Sequence, residues 1–423
     1  MTMEASGDGF RHDPRVWITG VGTICPLADR AESLHRALCA GLSGLTETRF
    51  DELPELGAQL AGTIDFAPRD YLPDGKLRPL DRVARLAISA AGLALADAGL
   101  SGEECDDREI GLVLGTMYCS LRTIVAFDRR GLEAGPKYVR PFDFANTVIN
   151  AAAGQTAIWH HLRGVNSTIA GGTAAGLEAL AYAADLIRTG RSEVVLAGGC
   201  DELSFESFFS FHRAGLLCGP GERPARPVPF DARRNGFALA EGATLLVLES
   251  APSARRRGAR VLGEILGHAS GFDPSRGQES DASRQHIART VSLALADAAL
   301  DIDEVDAVAA SANGGRVDTH EALGLADAFR SRDEALPVSA VKSMLGESLG
   351  GSGALQTLSM LESLRAGELP GIPGLETASH DRPEVLSFAD HSRRFDMRRG
   401  LVSAVGLDGN LCALVVEGGE VAA

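Results

Sequence analysis

The residues with the clearest chemical potential stand at turns that precede small-residue helices. Thr173 follows Gly171-Gly172 and precedes Ala174-Ala175-Gly176, inside the stretch NSTIAGGTAAGLEALAYAADLIRTG at 166–190. Small residues let a helix start close to another backbone, where its free N–H groups and dipole favour negative charge. A strand-turn-helix enzyme places its nucleophile at such a point, but a threonine hydroxyl needs an adjacent base before it attacks a carbonyl. A second polar turn, Asn313-Gly314-Gly315, leads to Asp318, His320 and Glu321. A third, VKSMLGESLG at 341–350, carries Lys342 and Glu347. These two form an ion pair if the turn brings them together; the competing reading makes Lys342 a buried strut.

Other reactive side chains are less promising. A catalytic His320 requires a nucleophile within hydrogen-bond reach, and none is evident, so a surface or cap role is preferred. His160 and His161 are adjacent and diverge on a helix, so they do not make a ligand pair. Asp201, Glu202 and Glu206 invite a metal reading, but no second ligand group stands at a suitable spacing, and a solvated loop edge is the expectation. The cysteines at 25, 39, 105, 119, 200, 218 and 412 are scattered, odd in number and without CxxC spacing. This pattern indicates a reducing compartment, free buried thiols and no cysteine-rich metal site. Gly20-Val21-Gly22 is too short to be a dinucleotide fingerprint, and no cofactor is expected.

The elements that must position these residues are those of a large α/β protein. At 423 residues the chain can bury a sizeable core in two domains or two fused halves. With 45% hydrophobic and 23% charged residues it reads as globular. Its net charge of −16 argues against nucleic acid. Arg393, Arg394, Arg398 and Arg399 form a local basic cluster, read as solvated surface, subunit contact or a docking patch for an acidic partner. Aliphatic runs are interrupted too often for a membrane span, and the first thirteen residues lack an apolar signal segment, so a cytoplasmic location is expected.

Periodicity predicts helices over 31–40, 83–100, 151–162, 283–300 and 319–329, with a turn and helix over 349–367. Short apolar runs predict strands over 16–19, 110–114, 192–197, 244–248, 305–310 and 411–416, with glycine turns after the first and third. A basic link at 250–257 is the expected boundary, giving halves 14–250 and 251–423. The segments GGTAAGLEALAYAADLIRTG and GGSGALQTLSMLESLRAG echo each other: paired glycines, a small-residue helix, then Arg-x-Gly. A duplicated α/β unit whose two small-residue helices pack centrally follows from this echo.

Five pieces, in order, carry a resemblance across nearly the whole chain: VWITGVGTICPLA, GVNSTIAGGTAAGLEAL, PFDARRNGFALAEGA, the Asp318-x-x-Glu321 pair and VKSMLGESLGGSGA. Together they resemble the β-ketoacyl synthases of the thiolase-like superfamily. The resemblance implies an α/β, duplicated αβαβα layered fold with two pseudo-symmetric halves. Active members carry a cysteine where Thr173 stands. They carry a histidine in an Asn-Ala-His-Gly-Thr segment; the counterpart here is Asn313, or Ala310 if the shortened loop is aligned otherwise. Their last histidine follows Lys-Ser-x-x-Gly, where this chain has Glu347. Lys342, Asp318 and Glu321 are retained.

All three principal positions therefore depart from the active pattern. An ionised Glu347 accepts hydrogen bonds and cannot donate to a developing oxyanion, as a neutral histidine would. The pattern resembles the chain length factor, or ketosynthase β subunit. That likeness implies no independent condensing activity, a heterodimer with an active ketosynthase, access to acyl carrier protein and its thioesters through the complex, and a shared acyl pocket. Thr173 departs even from this group, where glutamine is common. Two rival readings are an enzyme that loads an acyl group on Thr173 with help from Lys342 and Glu347, and a homodimeric scaffold or ligand-binding protein.

Overall fold

Two glycine-studded helices sit back to back at the centre of the molecule, and a long sheet wraps around them. The computed structural model describes residues 15–72, 77–100, 108–219, 226–275, 280–376 and 383–419; Cys105 lies outside them. Among the described residues eleven strands form one sheet. In chain order these are β1 (Val16–Ile24), β2 (Ile110–Gly115), β3 (Asn166–Ile169), β4 (Val194–Asp201), β5 (Gly242–Ser250), β6 (Gly263–Phe272), β7 (Ala307–Ala309), β8 (Leu336–Ser339), β9 (Leu386–Phe388), β10 (Arg399–Val405) and β11 (Asn410–Gly418).

The spatial order is β9-β8-β7-β10-β11-β6-β1-β5-β4-β2-β3. The N-terminal strands run third, second, fourth, fifth, first. Leaving out the edge strand β9, the C-terminal strands repeat that order. The expected duplication is thus written in the topology. The two sets join where β1 and β6 pair antiparallel, Val16 opposite Ile265.

Three cores separate the layers. The helices α1 (Arg82–Asp97) and α3 (Ala151–Trp159) cover the N-terminal strands, while α2 (Leu121–Ala134) lies outside them and buries no residue. The central pair, α4 (Ala175–Arg188) and α7 (Ser352–Ala366), packs between strands of both halves. The helices α5 (Ser280–Asp297) and α6 (Asp318–Ala328) flank the C-terminal strands. Every residue of α7 from Ser352 to Leu364 is buried. A helix enclosed on all sides has no need of a polar face, which explains its weak amphipathic pattern.

The structure corrects several sequence expectations. Gly20 to Gly22 is not a turn but the middle of β1. A Cβ on Gly22 would lie 2.2 Å from the Ala90 carbonyl oxygen, so the glycines let α1 lie directly on the strand. Gly198 and Gly199 likewise lie inside β4, against Thr244 and Gly350. The basic link at 250–257 is a short helix, Ala251–Arg256, capped by Ser250. Periodicity does not mark β6 or β10: glycines and His268 break the apolar run of the first, and the second opens on Arg399-Gly400 and carries Ser403 inside.

Candidate functional site

The site forms where the two central helices begin. A Cβ on Gly176 would lie 2.3 Å from the Gly350 carbonyl oxygen, and one on Gly353 would lie 2.5 Å from the Leu177 nitrogen. Only glycine permits this approach, which sets the turn Gly172–Ala174 against the turn Leu349–Gly351. Leu349 accepts a left-handed φ of 54° to make that second turn. Thr173 is 7% exposed, and its hydroxyl has no hydrogen-bond partner among the described residues.

Asp201 holds the floor of this junction. Its carboxylate accepts from Thr116 Oγ1 at 2.7 Å, from the N–H groups of Met117, Tyr118 and Cys119, and from Gly350 N–H at 2.8 Å. Asp201 is fully buried and Glu202 is 4% exposed, which overturns the solvated loop edge expected for these acids. Hydrogen bonds from five donors are what make such burial tolerable.

Glu347 is the centre of a closed polar network. Its Oε2 lies 2.9 Å from Lys342 Nζ and accepts from Asn313 Nδ2 at 2.9 Å; Oε1 accepts from Ser352 Oγ at 2.5 Å. Lys342 also reaches Ser311 Oγ at 3.3 Å, and Asn313 Oδ1 accepts from Gly315 N–H at 3.0 Å. Lys342 and Glu347 are both buried. Backbone bonds to Ala238 and Ala240, from the motif PFDARRNGFALAEGA, fix Glu347 itself. The structure therefore brings Asn313, Lys342 and Glu347 together, with Thr173 at the neighbouring turn. The donors at this position are turned onto the carboxylate.

Asp318 and Glu321 sit one helical turn apart and clamp the loop that carries Asn313. Asp318 accepts from the N–H groups of Asn313, Gly314 and Phe230, and Glu321 from Ser311 N–H at 2.7 Å. Burial lifts their carboxyls to about 6 and about 7. Gln356 Nε2 donates to the Ala310 and Ser403 carbonyls, so Ala310 is a strand-end backbone anchor. His320 projects from the same helix; burial pulls its imidazole below the ordinary range, so it is neutral at pH 7. Sequence reasoning singles out neither Ser352 nor Gln356, and it reads Asp201 only as a loop-edge acid. Ser352 lay within a quoted motif, but its role depends on the fold bringing it to Glu347.

The arginine cluster is internally compensated. Arg394 pairs with Glu368, Arg398 with Glu417 and Arg399 with Glu304, each at 2.7 Å, while Arg393 donates to Ser387. It is a set of ion pairs rather than a bare basic stripe. Among the described residues no group of acids, histidines and cysteines is arranged to hold a metal, and no helix is long and apolar enough to cross a membrane.

One measurable consequence concerns Glu202. Burial first, then Asp81, lifts its carboxyl from 4.5 to about 7. Between those values the folded chain holds a proton that the unfolded chain has released. This group therefore lowers stability as pH rises through that window. The stability gain of Glu202→Gln over wild type is expected to be smallest near pH 4.5, to grow to about pH 7 and then to level off. Comparing the two proteins cancels His35 and His160, whose lowered values act in the opposite sense. Melting curves between about pH 4 and 8 measure this; a pH-independent difference would refute it.

The strand order is that of a duplicated α/β scaffold, and comparison with known proteins gives its family. The model of the β-ketoacyl synthase N-terminal domain matches residues 13–254, and that of the C-terminal domain matches 262–376. The chain belongs to the β-ketoacyl synthase family. It is 32% identical over 412 residues to the tetracenomycin polyketide synthase ketoacyl synthase beta subunit of Streptomyces glaucescens, covering 95% of this chain and 98% of that one. It is 29% identical over 412 residues to 3-oxoacyl-[acyl-carrier-protein] synthase 2 of Vibrio harveyi, with the same coverage. The structure of the ishigamide ketosynthase/chain length factor superposes with a TM-score of 0.87 at 29% identity, over 96% of this chain and 99% of that one.

Proposed function

We propose that this chain is a non-condensing subunit of the chain length factor type, which pairs with an active β-ketoacyl synthase and shapes the pocket for a growing acyl or polyketide chain. The observation that carries this reading is the closed network on Glu347. A condensing site needs a nucleophile and donors aimed at a developing oxyanion. Here Asn313, Lys342 and Ser352 all serve the Glu347 carboxylate. The neighbouring Thr173 hydroxyl is hydrogen-bonded to no base among the described residues.

The outer surface supports a pairing role. Leu132, Tyr138, Phe142, Phe144, Val148 and Ile158 are exposed large apolar residues, at 45% to 87%. They lie in one stretch that leads to the edge strand β3, whose outer side has no neighbouring strand. Concentrated apolar surface beside an open sheet edge is what a partner subunit would cover. The β-subunit and ketosynthase/chain length factor names among the relatives agree with this assignment. Acyl carrier protein would deliver thioesters to the pair.

Co-expression with a cysteine-bearing synthase should yield a stable complex that makes product, whereas the purified single chain should make none. Within the complex, Thr173→Ala should leave turnover unchanged within about twofold, as expected when no transition-state interaction is removed. Product analysis by mass spectrometry checks both statements. Normal condensation by the isolated chain would overturn the reading.

A further inference from the structure

The turn before Thr173 is crowded by two carboxylates. Asp408 belongs to the hairpin turn between β10 and β11, and Glu178 to the first turn of α4. A Cβ built on Gly172 would lie 2.0 Å from Asp408 Oδ2, and one on Gly171 would lie 1.9 Å from Glu178 Oε2. Both acids therefore rest against the two-glycine backbone that leads into Thr173, and Gly172 there has a φ of 60°. Asp408 is held in place by Asn410, whose N–H and side-chain amide donate to it at 3.3 and 2.9 Å. Burial, then Asp408, lifts the Glu178 carboxyl to about 7. The Thr173 hydroxyl, in a residue 7% exposed, stands unpartnered beside them.

A helix N-terminus attracts anions, and in an acyl-transfer enzyme that attraction serves a thiolate and an oxyanion. Here two of the chain's own carboxyl groups stand against the two-glycine turn that leads into α4. We propose that Asp408, backed by Glu178, is a built-in electrostatic block that excludes thiolate, oxyanion and carboxylate groups from the Thr173 position. The block rests on the non-condensing reading and deepens it: restoring a cysteine at 173 would not restore a reactive thiolate. Asp408 and Glu178 act here as positioning residues, through the field at the turn.

The test is the titration of the thiol introduced by Thr173→Cys in the full chain. Its rate of alkylation by iodoacetamide is followed against pH by mass spectrometry of the peptide that contains it. Alone, this variant is expected to titrate at least one unit above the ordinary thiol value of about 8.5. Adding Asp408→Asn should bring the midpoint back by about one unit and speed alkylation at pH 7.5 about tenfold. Glu178→Gln should shift it in the same direction. The other titratable groups facing the pair are Tyr118 and Cys412, and burial raises both, Cys412 to about 12, so they stay neutral over the range used. Limited access slows all variants alike and leaves the midpoint untouched.

The amide of Asp408→Asn keeps an oxygen for Asn410, and Glu178→Gln provides an independent arm should the first variant fold poorly. An ordinary or lowered midpoint in Thr173→Cys alone, or a midpoint unmoved by either added substitution, would overturn the proposal. Alkylation needs neither partner nor carrier protein. It can therefore fail while the complex still forms and works, and it can succeed while the subunit assignment fails.

Discussion

Glu347→Ala will destabilise the folded chain by about 3–5 kcal/mol, the usual result of leaving one member of a buried ion pair without the other. Lys342 is 3% exposed and has no carboxylate but Glu347 within ion-pair distance among the described residues. The substitution also strands Asn313 Nδ2 and Ser352 Oγ, each of which donates to the same carboxylate. Replacing both charges, Lys342→Met with Glu347→Leu, should recover most of the loss, because the costly feature is an unpaired buried ammonium rather than a missing attraction. Calorimetry and urea unfolding of the single and double variants measure the coupling. A single-variant loss below about 1 kcal/mol, the size of an exposed pair, would show that the network is solvated. Neither variant should condense acyl groups, since neither gives the Thr173 hydroxyl a hydrogen-bonded base.

The second large effect concerns assembly. Phe142→Asp combined with Ile158→Asp should abolish co-purification with the active synthase while leaving the isolated chain as stable as wild type. Phe142 is 84% exposed and Ile158 is 73% exposed, so neither supports the chain's own core. Burying such a side chain at an interface is worth roughly 1.5–3 kcal/mol, and a charge there adds a desolvation penalty. Two sites together should weaken binding by at least about a thousandfold, since each 1.4 kcal/mol is a factor of ten. Size-exclusion chromatography of the co-expressed pair reads the loss, and the melting temperature of the single chain separates it from unfolding. An intact complex with both aspartates in place would move the interface elsewhere. A bulkier apolar residue at an exposed position of α3, such as Ile158→Trp, should instead alter product length or assembly.

The sites of change stand out on different grounds. Thr173 was visible because a glycine pair before a small-residue helix is a local pattern, and local patterns survive in one dimension. Lys342 and Glu347 were likewise nameable as a pair only five positions apart. Asp408 and Glu178 could not be connected to each other or to Thr173 by any spacing rule. They converge because the last hairpin of the sheet folds over the start of α4. Asp201 reads as part of an acidic loop edge, since burial of two adjacent acids is improbable until the five donors to Asp201, from Thr116 to Gly350, are in place.

The glycines show the same division. Gly20, Gly22, Gly198 and Gly199 suggested turns, whereas in the fold they mark where a helix or a backbone comes within contact of a strand. Periodicity and motif order determined a duplicated α/β chain, its central helices, its family and the residues of its candidate site. Tertiary structure alone decided which carboxylates are neutralised, which donors are consumed and which apolar surface is left open. Those properties arise from contacts that sequence spacing does not show, from 34 residues apart for Asn313 and Glu347 to 149 for Asp201 and Gly350, and a buried charge is stable only when such contacts supply its partners.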